Sequence, residues 1–135
     1  MADNQQSLNP RIIVIQKLYS QHLNKDSELY FPKHRYKKFI KDVVMGTIER
    51  KELIQSLMDK ELENSINEQK TDLMVKLMIM AAIYEFMFMH KTPVKVIISE
   101  YLKVSDSFIK PSQKNFLNAI LDKASKVSRD VHVTN

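Results

Sequence analysis

The stretch from Leu73 to Met89 is apolar nearly all round, and a helical wheel leaves only Lys76 and Glu85 as charges. A helix with no polar face has no stable place at a surface, so it belongs in the interior with other elements wrapped around it. It ends at His90-Lys91-Thr92-Pro93, where Thr92 can cap and Pro93 can take the first position of a following helix. The chain has one glycine in 135 residues. Hairpins and phosphate-cradling loops draw on glycine for positive φ, so sheets and nucleotide-binding loops are disfavoured.

Helical periodicity accounts for the rest. Asn9 as N-cap and Pro10 as first helical residue start a helix through about Leu23, with Ile12, Ile15, Tyr19 and Leu23 as its buried stripe. A second helix is expected from Pro32, its face traced by Tyr36, Phe39, Ile40, Val43, Val44, Thr47 and Ile48. Gly46 lies in that face, where a missing side chain would let another helix approach closely despite a cost of about 1 kcal/mol relative to alanine. A third helix is expected over Lys51 to Ser65 with Leu53, Leu57, Met58 and Leu62 inward. Residues Asn64 to Thr71 are the polar seam between an N-terminal half, to about residue 66, and a C-terminal half from about residue 70. Residues 1 to 8 are polar and expected to be loose. The last helix opens at Pro111-Ser112; Phe116, Leu117, Ile120, Leu121, Ala124 and Val127 form its core face, and Asn115, Asn118, Ala119 and Asp122 project from its back. The expected architecture is a single all-α domain, a compact bundle of about six to seven helices in two packed three-helix halves.

Composition narrows the chemistry. With no cysteine there are no disulfides and no thiolate nucleophile, which suits a reducing compartment. Met1 to Gln6 carries no signal-peptide pattern, and the run from Leu77 to Met89 is too short to span a bilayer, so a cytoplasmic protein without a membrane partner is expected. His22, His34, His90 and His132 fall in no metal-ligand spacing, and no nucleophile, base and orienting group assemble. Neither an enzyme, a metal nor a cofactor is expected. A net charge of +5 favours polyanionic partners.

Four blocks, Gln16-Lys17-Leu18-Tyr19-Ser20, Ala82-Ile83-Tyr84-Glu85, Pro93 to Glu100 and Phe116 to Lys123, resemble the NusB family of bacterial transcription antitermination factors in identity, order and spacing. The resemblance implies an all-α fold of two three-helix halves and a non-enzymatic role. Such a factor would bind boxA-type single-stranded RNA together with the ribosomal protein NusE, and so keep RNA polymerase, with other Nus factors, elongating through ribosomal-RNA operons. It implies RNA contacts at Arg11, Gln16 and Tyr19, with Lys123 as a supporting charge. Protein contacts fall at Tyr84, Glu85, Asn118 and Asp122. Read from the wheel alone, Glu85 could instead be satisfied by an internal lysine, tyrosine or backbone group, and Asn118 and Asp122 could be a solvated helix back.

The chain departs from the family where the first helix opens. The usual arginine cluster is replaced by Ser7-Leu8-Asn9-Pro10-Arg11, and basic positions after the Glu85 block have become Phe88 and Met89. Lys33, His34, Arg35, Lys37, Lys38 and Lys41, with Tyr36 and Phe39 between them, could replace that patch, the lysines neutralising phosphate and the rings stacking bases. The same residues also fit an ordinary wet helix face over a core stripe. The alternative function is a NusB-fold homodimer or protein adaptor with weakened RNA binding.

Overall fold

The computed structural model describes residues 8–62 and 71–133, with side chains to residue 129. Six α-helices make up nearly all of it: α1 (Pro10–Leu23), α2 (Lys37–Glu49), α3 (Lys51–Glu61), α4 (Leu73–Phe88), α5 (Val94–Ser105) and α6 (Lys114–Val133), the last entered through a 3-10 turn at Pro111–Gln113. There is no strand among the described residues. No helix among them is long and apolar enough to cross a membrane. The expected seam at 64–71 and the far end of the third helix lie almost wholly outside the described residues, as do residues 1 to 7.

The apolar helix α4 is the hub, packing against all five of the others. Asp72 caps it by accepting from the Met74 N–H at 2.7 Å, which satisfies one orphan donor of the first turn. Every face from Val75 to Met87 is then covered except at Lys76 and Tyr84. Burying a side chain such as Phe86, fully enclosed here, contributes about 1.5–3 kcal/mol.

The start of α1 is as the residues dictate. Asn9 Oδ1 accepts from the Arg11 N–H at 2.9 Å with Pro10 at the first turn. The inward face is only partly the anticipated one: Ile15 is buried as expected, together with Ile13, Val14 and Leu18, whereas Tyr19 and Leu23 are exposed and Ile12 is half-buried. The buried residues are Arg11, Ile13, Val14, Ile15 and Leu18, a helical face that begins with a charge.

Four more details differ from the expectation. Helix α2 starts at Lys37 rather than Pro32, because His34 organises the preceding turn: its Nδ1 accepts from the Tyr36 N–H at 2.9 Å and its Nε2 donates to the Leu8 carbonyl at 3.0 Å. This also holds Leu8 against the body. In α3, Leu53 is exposed and its neighbour Ile54 is buried with Leu57 and Met58, so the inward face is turned by one position at its start. In α6, Phe116 is partly exposed while Leu117, Ile120, Leu121 and Ala124 form the core face. Helix α5 begins one residue later than expected, with extended Pro93 in the cap position and no side-chain cap from Thr92.

Gly46 sits where α2 crosses α4. A Cβ placed there would collide with the Tyr84 ring and hydroxyl, so the one glycine is required for close approach and not for a turn.

Candidate functional site

Arg11 and Glu85 are partners in the interior. The guanidinium Nη2 donates to Glu85 Oε1 at 2.6 Å and Nε donates to Oε2 at 2.9 Å. Tyr101 on α5 donates its hydroxyl to Glu85 Oε2 at 2.5 Å. Arg11 is 8% exposed and Glu85 0%. The fork-shaped guanidinium matches the carboxylate geometry, which makes a bidentate pair of this kind both strong and directional.

Further groups close around the cation. Its carbon lies 4.7 Å from the Phe39 ring centre and 5.6 Å from that of Tyr101. Glu100 Oε1 is 3.9 Å from Nη1 and accepts from Asn9 Nδ2 at 3.3 Å. The N-terminus of α1 is thereby tied to α2, α4 and α5. Burial opposes the charge on Arg11, but the hydrogen bonds and charge of Glu85 outweigh it and hold the pKa above its ordinary value. Burial, and then the charge of Glu85, push the Tyr101 phenol well above its ordinary value, so it stays a donor.

The consequence for the anticipated contacts is direct. Arg11 is buried and spent on Glu85, so it is not available to a phosphate in this structure; Glu85 is likewise inaccessible to a partner protein. Glu85 takes an arginine and a tyrosine; the tyrosine is among the internal partners the wheel offers, and the arginine is not. Tyr84 is half-buried against Gly46 and stacks on Phe88 at 5.1 Å between ring centres. Arg50 lies 4.4 Å over the Phe88 ring.

Other residues do face solvent. Gln16 and Tyr19 lie on the exposed side of α1. Lys37, Lys38 and Lys41 are exposed on α2, with Lys38 Nζ 2.8 Å from Asp42 Oδ2; such a surface pair is worth about 0–1 kcal/mol and would yield readily to phosphate. Asn118, Asp122 and Lys123 are exposed on α6, and Asp122 Oδ2 sits 3.2 Å from Lys126 Nζ. Helix α6 packs on α3, α4 and α5 and makes no contact with α1 among the described residues. Lys123 is therefore not a neighbour of the α1 residues it was grouped with.

The basic stretch divides. His34 is buried and committed to backbone, and Phe39 is half-buried beside Arg11; neither faces outward. Tyr36 is 49% exposed, with the Arg35 guanidinium 5.3 Å from its ring centre. Tyr30 was missed: it is 73% exposed, and Lys17 Nζ of α1 reaches to 5.8 Å of its ring. Its signal was legible, since it is an aromatic ring in a polar loop with no periodic reason to be buried. Gln16, Lys17, Tyr19, Tyr30, Lys33, Arg35, Tyr36 and Lys37 all come from α1, α2 or the loop that joins them, and α1 packs directly on α2.

Arg129 was also missed. From α6 it donates Nε to the Phe86 carbonyl at 2.9 Å and Nη1 to the Thr92 carbonyl at 3.1 Å, with Nη2 at 3.5 Å from the carbonyls of Glu85 and Met89. It satisfies the orphan carbonyls at the C-terminus of α4 and complements that end of the helix dipole. Among the described residues no group of three His, Asp or Glu side chains could hold a metal ion.

The NusB family model matches residues 8–126, which take in every element from α1 into α6. The chain belongs to the NusB family. Among its relatives are proteins named transcription antitermination protein NusB from Rhodopseudomonas palustris, 26% identical over 81% of this chain and 62% of that protein, and from Maricaulis maris, 25% identical over 67% and 57%. The chain thus spans about three fifths of the length of these curated relatives. A solved structure of T. maritima NusB superposes with a TM-score of 0.74, covering 90% of this chain and 92% of that one at 20% identity. The helical bundle is the NusB fold, and the Arg11 to Glu85 pair is set within it.

Proposed function

We propose that this NusB-family chain is a transcription antitermination factor that works by assembly and not by catalysis. It would bind a boxA-like single-stranded RNA along the α1–α2 edge and NusE through a separate protein face, helping RNA polymerase and other Nus factors read through ribosomal-RNA operons. Two weak contacts become effective together because each raises the local concentration of the other component.

The observation that carries the reading is the exposed pairing of cations with aromatic rings, Lys17 with Tyr30 and Arg35 with Tyr36, next to exposed Lys37 and Lys38. Lysines and arginines neutralise phosphates, and rings stack unpaired bases of any identity. In this reading Gln16, Tyr19, Lys37 and Lys38 touch RNA, and Arg11 acts indirectly by fixing the N-terminus of α1. Asn118 and Asp122 belong to the NusE face with Lys123 at its margin, and Glu85 and Tyr84 shape that half from beneath.

The test is a gel-shift titration with boxA RNA, with and without NusE, across a salt series. Binding that strengthens with NusE and falls with salt is expected. A slope reduced by about 0.7 per lost phosphate contact is expected for Lys37→Glu with Lys38→Glu. No shift at low salt with NusE present would remove the RNA half of the reading. That result would favour the second reading, a NusB-fold homodimer or adaptor with weakened RNA binding, which the burial of Arg11 supports.

A further inference from the structure

His34 is 8% exposed beneath the turn that leads into α2, and each of its ring nitrogens meets a backbone group. The Tyr36 N–H can only donate, so Nδ1, at 2.9 Å, is without a proton; the Leu8 carbonyl can only accept, so Nε2, at 3.0 Å, carries one. The ring is thereby held as the neutral Nε2–H tautomer. A further bond, from the Lys37 N–H to the His34 carbonyl at 3.1 Å, closes the turn over 34–37. Tyr36 is the N-cap residue of α2, without a side-chain cap, and its carbonyl accepts from the Ile40 N–H at 3.0 Å. The backbone around Tyr36 is thus pinned on two sides, to the chain entering α1 through Leu8 and to the first turn of α2. The side chains of Arg35, Tyr36 and Lys37 stand in solvent above it. The Tyr36 ring centre lies 6.0 Å from that of His34, and the Arg35 guanidinium lies 5.3 Å from the Tyr36 ring centre.

We infer that His34 is the positioning residue of the RNA edge: through its bare Nδ1 it fixes the Tyr36 backbone, so that the Tyr36 ring and the Arg35 guanidinium are presented together to an unpaired nucleotide. His34 itself, buried, touches neither base nor phosphate. The inference rests on the RNA reading above and gives that edge its organiser. Side chains that must be ordered at the moment of binding cost affinity, and a ring and cation already set in place avoid much of that loss. Tyr36 is 49% exposed, which leaves ring surface open for a base to stack on. The two nitrogens divide the work. Nδ1 aims the edge, and Nε2 ties the loop to the body of the protein.

The test is a gel-shift titration with boxA RNA and NusE on two variants, each shown by circular dichroism to be folded at the temperature used. His34→Asn restores an acceptor for Tyr36, since an asparagine oxygen takes the N–H two residues on, but it is too short to reach Leu8 as well. His34→Ala supplies neither bond. Both variants should lower the thermal midpoint. RNA affinity should fall about fivefold in His34→Ala, as for one neutral hydrogen bond, and stay within about twofold of wild type in His34→Asn. In a Tyr36→Ala chain, His34→Ala should cost no further affinity. The ring 15N spectrum of the wild type should show a protonated Nε2 and a bare Nδ1 at His34. The inference is overturned by wild-type affinity in His34→Ala, by equal losses in the asparagine and alanine variants, by additive losses at positions 34 and 36, or by a proton on Nδ1. A wild-type chain that fails to shift boxA RNA at low salt with NusE removes the edge and its organiser together. A wild type that binds, beside an indifferent His34→Ala, removes the inference alone.

Discussion

The Arg11 guanidinium meets the Glu85 carboxylate in a two-pronged bond across 74 positions of sequence, at 2.6 and 2.9 Å. This one contact decides which way α1 faces and takes the remaining arginine of the N-terminal region out of solvent. Removing one partner leaves the other charge buried and uncompensated, which costs about 3–5 kcal/mol in such pairs. Arg11→Met and Glu85→Gln should each lower the urea midpoint strongly. The double variant should lose clearly less than the sum of the two. Additive losses would mean that the pair is not coupled.

Tyr101 supplies an alkaline limb to stability. Its phenol titrates well above the ordinary value in the folded state because of burial and then Glu85. The unfolded chain releases that proton near pH 10 and the folded one does not, so the stabilisation is complete below about pH 10 and is lost as pH rises through the folded value. Unfolding free energy measured from pH 8 to 11 should bend downward in the wild type. Tyr101→Phe should be less stable at pH 8 and show a flatter alkaline limb.

Gly46→Ala tests the crossing of α2 and α4. On an open helix this change stabilises by about 1 kcal/mol, but here the new methyl meets the Tyr84 ring. A loss of about 1–3 kcal/mol is expected from overpacking. Tyr84→Leu in the same chain should recover part of it, and thermal melts of the single and double variants provide the check.

Arg129→Leu should loosen the end of α4 and the turn that follows. The carbonyls of Phe86 and Thr92 lose their donors, at about 1–3 kcal/mol for buried groups left unsatisfied. Hydrogen exchange should speed most at the Met89 and Thr92 amides, which close that turn through bonds to the Glu85 and Met89 carbonyls. Protection unchanged there would rule out the capping role.

Much of this molecule is legible along the chain. An apolar run with two charges has nowhere to go but the centre, and α4 is there; the Asn9-Pro10 start, the Asp122 and Asn118 surface of α6 and the role of Gly46 follow from residue chemistry within a few turns. The facing of α1 is of another kind. A wheel turns a charged residue toward water, and by that rule Arg11 leaves the stripe to Ile12, Ile15, Tyr19 and Leu23. Packing brings Glu85, Phe39 and Tyr101 around the cation, and in that setting the inward position becomes favourable and the helix turns to match. The same holds for Leu53 against Ile54. Local chemistry specifies that these helices form and which of them must be buried. The choice among adjacent faces is made by groups far away in the chain, since the free energy of a buried charge or methyl depends on what the fold sets against it.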